Sequence, residues 1–248
     1  LSFDSQLKAR VKLTNKQTGT DKEQEIFMSD IPMMTGHGTF IINGVERTLV
    51  PQLSRSSGVF FTELEVKGKK FFGAKIIPNR GVWIEIESDP DGTIYVRIDK
   101  KRKFPIVSLL RALGLSTDEE IKKLFKGEPY ASMIAHSLEK DISKSQAEAY
   151  VEIYRKLRDG DLATADNAKE FITNLFGEER YDLSSVGRFR FNKRFELDMS
   201  DKEMTRKTLS AHDIVEIIKH VIFLNTTPGS KPDDIDHLGS RRVRFVGE

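Results

Sequence analysis

The hydrophobic pattern changes period once, near Pro105, and no other feature constrains the fold as much. Before that point apolar residues alternate with polar ones. Leu7, Ala9, Val11 and Leu13 face one way and Lys8, Arg10 and Lys12 the other, the period of a strand with one buried face. The polar stretch 15–22, with Gly19, predicts a turn into a second strand around Glu25–Met28. Lysines on the outward face protect such an edge, and an edge is also a place for a partner strand to add. Asn43-Gly44 lies between Thr39–Ile42 and Val45–Val50, the strongest short-range hairpin signal. Lys67-Gly68-Lys69 predicts a further turn, and Asp89-Pro90-Asp91-Gly92 joins Trp83–Glu87 to Thr93–Ile98. The first hundred residues therefore predict antiparallel β structure.

Beyond Pro105 the period becomes 3.6. Proline suits the first position of a helix, and Gly114 closes that helix after Leu113. Ser116-Thr117-Asp118-Glu119 reads as a capping box for a second helix, which Gly127 ends. Three apolar stripes follow. Ala147, Tyr150, Val151, Tyr154 and Leu157 form one; Ala168, Phe171, Ile172, Leu175 and Phe176, with Gly177 as C-cap, form another. Ile214, Ile217, Ile218, Val221 and Leu224, headed by Ser210, form the third. Such stripes are core. Strands followed by helices predict an α+β architecture, and 225–235 reads as a polar loop.

Composition narrows the function by exclusion. No apolar run approaches the ~20 residues of a bilayer span, so no membrane role is expected. The chain has no cysteine, which removes disulfides and thiolate metal sites and permits a reducing, cytoplasmic setting. Net charge is only +2, but Lys100-Lys101-Arg102-Lys103 and the Arg241, Arg242, Arg244 run are locally basic. Such runs neutralise phosphates or lie on a solvated face. The chain opens at Leu1 and stops at Glu248, which suggests a piece of something longer.

Enzyme signatures are missing: no phosphate-binding glycine loop, no H-E-x-x-H and no G-x-S-x-G occur. The five histidines are scattered. The one acidic cluster is Asp233-Asp234-Ile235-Asp236-His237. In an extended backbone Asp234 and Asp236 would share a face and could hold Mg²⁺. A metal-dependent nuclease using Asp234, Asp236 and His237 is thus one reading; a polar loop whose carboxylates pair with Arg241 and Arg242 is the plainer one. Trp83, close to Arg80, is either a buried anchor or a flat surface for a nucleobase.

Four ordered stretches point further. They are IPMMTGHGTFIINGVERTLVPQLSRSSGVFF (31–61), IIPNRGVWIEIE followed by VRIDKKRKFP (76–105), RYDLSSVGRFRFNK (180–193) and DDIDHLGSRRVRFVGE (233–248). Together they resemble the β subunit of bacterial RNA polymerase, and the resemblance covers essentially the whole chain, weakest over 127–146 and 196–212. It implies that residues 1–46 are part of the protrusion domain, 47–237 the lobe domain, and 238–248 a segment returning to the protrusion. Pro51, Ser57, Val45 and Phe245 depart from the usual pattern.

By this resemblance the chain is a non-catalytic part of a nucleotidyltransferase. It would grip downstream DNA and the non-template strand, and dock other polymerase subunits, sigma factor and regulators. Trp83 would stack a base while Arg55, Asp236 and Arg241 surround a flipped guanine, with Arg158 nearby. Lys22, Glu23, Gln24 and Glu25 would form the edge that binds the transcription-repair coupling factor or a CarD-type regulator. Arg47, Val50 and Gln52 would match a rifampicin-proximal segment. No cofactor is expected here, since the Mg²⁺ of the whole polymerase belongs to another subunit. The alternative is a purely protein-docking module.

Overall fold

A computed structural model describes residues 1–66, 68–158, 160–197 and 206–244. The chain forms two compact units, Leu1–Ser54 with Val243–Glu248, and Arg55–Arg242.

In the first unit β1 (Asp4–Thr14) and β2 (Asp21–Pro32) pair antiparallel, with a register shift between Leu7 and Lys8. Asn15 turns the chain between them, its side chain accepting from the amides of Gln17 and Thr18. The alternation in 7–13 does form a strand, but its apolar face is not buried. Leu7, Val11 and Leu13 are all exposed, because a two-stranded ribbon supplies no second layer to cover a face. Next, β3 (Phe40–Ile42) and β4 (Val45–Arg47) form the expected hairpin. Asn43 and Gly44 have φ of 53° and 78°, as a two-residue turn with positive φ at both positions requires. The second strand stops at Arg47, short of Val50, because Arg47 faces Phe40, the first residue of its partner.

The second unit is built on an antiparallel sheet. Strand β5 (Gln52–Arg55) leads into β6 (Gly58–Val66), β7 (Lys69–Ile77), β8 (Ile84–Ser88), β9 (Ile94–Ile98) and β10 (Phe104–Pro105), and the last five pair in the order β10-β9-β8-β7-β6. Gly68 sits at φ 74° in the β6–β7 turn; its neighbour Lys67 lies outside the described residues. Burial alternates along β8 and β9. Ile84, Ile86, Ile94, Val96 and Ile98 are buried, and Glu85, Glu87, Tyr95 and Arg97 occupy the opposite face. That second face is laced by pairs such as Lys75–Glu85 at 2.9 Å and Arg97–Glu87 at 3.3 Å.

Seven helices follow among the described residues: α1 (Ile106–Ala112), α2 (Asp118–Leu124), α3 (Tyr130–Lys140), α4 (Gln146–Leu157), α5 (Ala165–Leu175), α6 (Ser184–Arg194) and α7 (Ala211–Thr226). The chain is α+β, as its sequence predicts. The capping box of α2 runs from Thr117 to Glu120, one residue later than the Ser116–Glu119 expectation, because Thr117 is the residue left in extended conformation. Gly177 is not a left-handed cap; α5 ends at Phe176 with φ −102°. Helices α3 and α6 were not expected from periodicity.

Two buried ion networks tie the helices together. Arg111, on α1, is fully buried; it donates from Nε to Asp141 at 3.0 Å, from Nη1 to the Ser116 carbonyl at 2.9 Å, and from Nη2 to Asp118. Arg188, on α6, is 4% exposed and forks onto both oxygens of Asp213 at 2.7 and 2.9 Å. Asp213 is also the third residue of α7, where it closes a capping box with Ser210.

The unit boundaries fall inside β5 and inside β11 (Arg241–Arg244), which pair with each other. Just within the second unit, the Ser56 amide donates to the Ser240 carbonyl at 3.0 Å. The beginning and end of Arg55–Arg242 therefore lie side by side.

Candidate nucleic-acid interface

The 233–240 loop is stitched down at its start and left open in its middle. The Asp233 carboxylate accepts from the Phe61 amide at 2.8 Å and from Arg194 at 2.7 and 2.5 Å, while the Asp233 amide donates to the Phe61 carbonyl at 2.9 Å. Asp234 Oδ1 then accepts from the amides of Asp236 and His237, both at 3.1 Å. This side-chain turn folds the backbone back on itself. The extended geometry that would align Asp234 and Asp236 on one face is therefore not adopted. A 3₁₀ turn over Leu238–Ser240 follows, headed by His237, whose Nδ1 accepts from the Gly239 amide at 3.0 Å.

The result projects Asp236 outward. Its side chain is 79% exposed, and Arg241 Nη2 donates to its Oδ1 at 2.5 Å. No described group occupies Oδ2. Arg242 donates to Asn79 Oδ1 at 2.7 Å. Arg55, at the end of β5, lines a cavity of about 260 Å³ with Glu63, Lys75, Glu85, Glu87 and Ile235. It thus stands beside the residue preceding Asp236. Arg55 and Arg241 also flank the Ser56–Ser240 hydrogen bond along their respective strands. Trp83 immediately precedes β8, its carbonyl accepts from the Asp99 amide at 2.9 Å, and it is 38% exposed; it does not line the cavity of Arg55. It is not the deeply buried anchor that a lone tryptophan often is.

Other expected site residues lie elsewhere. Arg158 caps the C-terminus of α4, stands 5.4 Å from the Phe171 ring centre and reaches Asp161 at 3.9 Å; none of these contacts leads to the 233–240 loop. Lys22, Glu23, Gln24 and Glu25 lie on β2 opposite Leu13, Lys12, Val11 and Arg10. Arg10 and Glu25 approach to 3.5 Å, and Lys12 bonds Asp21 at 2.6 Å, holding that carboxyl below its ordinary range. Among the described residues β2 pairs only with β1, in a two-stranded sheet, which leaves its other edge without a described partner strand. Arg47, Val50 and Gln52 are exposed, and Gln52 Nε2 donates to the Val50 carbonyl at 3.2 Å. In the basic run, Lys103 pairs with Asp89 at 2.7 Å and lies 4.4 Å over the Tyr95 ring, while Lys100 and Lys101 are exposed.

The nuclease reading has no ligand set. Asp234 is committed to backbone amides, Asp236 to Arg241 and His237 Nδ1 to Gly239. Among the described residues no three His, Asp or Glu side chains gather as a metal site would need. Of the departures from pattern, Ser57 bonds Ser184 Oγ at 2.8 Å and so helps fix the start of α6; Phe245 lies outside the described residues. Sequence reasoning did not anticipate that Asp233 anchors the loop and that Asp234, though exposed, shapes it. An Asp two residues before an exposed Asp is the only signal of such a turn.

The arrangement is that of an α+β module whose two ends meet at a loop carrying two exposed aspartates, Asp234 and Asp236, the latter paired with Arg241. A family profile described as RNA polymerase Rpb2, domain 2, matches residues 55–244. Three curated proteins, each named DNA-directed RNA polymerase subunit beta, are similar over 100% of this chain. They come from Syntrophomonas wolfei (46% identical), Gloeobacter violaceus (45%) and Synechocystis sp. (43%). The chain belongs to the RNA polymerase Rpb2 domain 2 family and, over its whole length, is similar to the bacterial polymerase β subunit. It spans 22% of the length of each of these relatives.

Proposed function

We propose that this chain acts as the DNA-gripping lobe, with flanking protrusion segments, of a DNA-directed RNA polymerase β subunit. In this reading it holds downstream DNA, reads one base of the non-template strand and performs no bond-making chemistry itself. The observation that supports it is the exposed Asp236 carboxylate, bonded by Arg241 at Oδ1 and open at Oδ2, next to Ile235, which lines a cavity with Arg55. A carboxylate accepts the N1 and N2 hydrogens of an unpaired guanine, and no other DNA base offers that pair of donors on its Watson–Crick edge. Arginine contacts the O6 and N7 edge or the adjoining phosphate. Arg241 also holds Asp236 in orientation before the base arrives. Trp83, partly exposed just before β8, supplies in this reading a ring for the adjacent base, worth about 1–3 kcal/mol. Lys100 and Lys101 suit sequence-independent phosphate contact.

The remaining assignments belong to the same reading. The β2 edge, with Lys22, Glu23, Gln24 and Glu25, docks a regulator such as the transcription-repair coupling factor or a CarD-type protein by strand addition. Arg47, Val50 and Gln52 border the rifampicin-proximal region, and Arg158 lies along the DNA path. Sigma factor and the other polymerase subunits are its partners in this reading, the catalytic Mg²⁺ is bound by another subunit, and the setting is cytoplasmic.

Asp236→Ala should lower the affinity for a guanine-containing single strand about tenfold, as expected for hydrogen bonds to a charged acceptor. Affinity for an oligothymidylate should not change. Fluorescence anisotropy with the two oligonucleotides measures this directly. An unchanged guanine preference in the variant would sink the assignment. DNA affinity that does not fall with rising salt would favour the pure docking module instead.

A further inference from the structure

Helix α6 carries the longest motif for which the reading above has no use, and its two faces do different things. Inward, a Cβ on Gly187 would stand 3.1 Å from Ser57 Oγ, Arg188 is locked onto Asp213, and Phe191 lies in the core. These account for half of the motif as packing. The outward residues are engaged to different degrees. Phe189 is 51% exposed. Lys193 is exposed and makes no hydrogen bond or ion pair with any described residue. Arg190 donates to the Gly239 carbonyl at 2.5 Å and stands 6.0 Å from the Phe60 ring centre.

Between this face and the 233–240 loop lies a cleft of about 580 Å³, lined among others by Phe60, Phe189, Arg190, Lys193 and Arg194. Three cations, Arg190, Lys193 and Arg194, and two carboxylates, Asp233 and Asp234, line it, so its net charge is modestly positive. Asp233 is paired with Arg194, and Asp234 accepts backbone amides through one oxygen, whereas neither Arg190 nor Lys193 makes an ion pair with a described residue. An exposed ring beside two cations is the combination that binds single-stranded nucleic acid: the ring takes a base and the cations its phosphate. An acidic peptide would use the cations and leave the ring idle.

We propose that this cleft is a second nucleotide subsite, in which a base lies on Phe189 while Lys193 and Arg190 hold its phosphate. It rests on the reading of Asp236 as a base reader. Arg190 is bonded to Gly239, two residues from Arg241, so a strand held at Asp236 continues along the loop toward α6. The subsite has no base-specific donor, and it adds affinity without sequence preference.

The test is anisotropy of the full chain with a short labelled oligothymidylate, with and without one central guanine. Phe189→Ala and Lys193→Glu should each weaken both oligonucleotides about tenfold and leave the guanine preference intact. Lys193→Gln should also reduce the salt slope by about 0.7. Both side chains are exposed, so circular dichroism should show an unchanged fold. If Phe189→Ala and both Lys193 variants bind like the parent, the subsite does not exist, whatever Asp236 does. If the parent shows no guanine preference yet these variants still lose affinity, the Asp236 reading fails and the subsite stands. Competition by oligoglutamate that Phe189→Ala leaves unchanged would make the cleft a protein-docking site and overturn the proposal.

Discussion

Asp213→Ala should destabilise the protein by about 3–5 kcal/mol, the cost of leaving one member of a buried ion pair uncompensated. Arg188 is 4% exposed and its guanidinium is satisfied by two Asp213 oxygens and the carbonyls of Arg206 and Thr208. Removing the carboxylate strands a cation where water cannot reach it. The same substitution breaks the capping box that starts α7, which adds about 1 kcal/mol. In a urea titration followed by circular dichroism, the midpoint should fall by roughly 1–2 M. A loss below about 1 kcal/mol would mean that the pair is not buried as described. Replacing both partners with apolar residues, Arg188→Met with Asp213→Leu, should recover much of the loss, because the larger part of the penalty is the orphaned charge.

Arg111→Met should be comparably damaging, again about 3–5 kcal/mol, for a different reason. Arg111 links three elements through a single planar group: α1 carries it, Asp118 lies on α2, and Asp141 follows α3. Asp141 retains donors after the substitution, since Ser108 Oγ and Ser143 Oγ reach it at 2.9 and 2.7 Å. The loss should therefore sit near the lower end of the range. Arg111→Lys should recover only part of it, because an ammonium cannot match three acceptors spread around a fork. Full recovery by lysine, measured by the same unfolding titration, would show that charge alone matters and refute the geometric account.

These two arginines also explain what periodicity could not read. The inward positions of α6 include Gly187, Arg188 and Asn192, so the helix shows no apolar stripe although it is packed on its full length. Helix α3 hides in another way: Ser137 lies on its buried face, donating to the Met133 carbonyl and accepting from the Ile94 amide. Buried polar residues satisfied by backbone break the pattern without breaking the helix. Where the buried side chains were mostly apolar, as in β8, β9 and α7, alternation and stripes placed the elements within a residue or two. The alternating 7–13 segment shows the converse. Period fixes that a strand forms and which face is apolar, but burial needs a covering layer, and the pattern carries no information on whether one is supplied.

The candidate site was legible in part. Chain resemblance picked out Arg55, Asp236 and Arg241; Arg241 pairs with Asp236, and Arg55 lines a cavity with Ile235, the residue before Asp236. The turn that aims Asp236 outward depends on Asp234 accepting two amides, a local competition between side chain and backbone that residue identity alone does not decide. Arg158, from the same expectation, is engaged at the α4–α5 corner instead.

The hydrogen bond from Ser56 to Ser240 has a thermodynamic consequence for the polypeptide around it. Closing a loop costs entropy that grows with the separation its ends must bridge. To the segments before Arg55 and after Arg242, the whole intervening body, once folded, behaves like a tight turn. Its interior can therefore gain or shed surface segments without taxing the stability of the strands that carry it. The connection between α3 and α4, for one, can change length without widening the gap between Ser56 and Ser240, which main-chain groups alone hold closed.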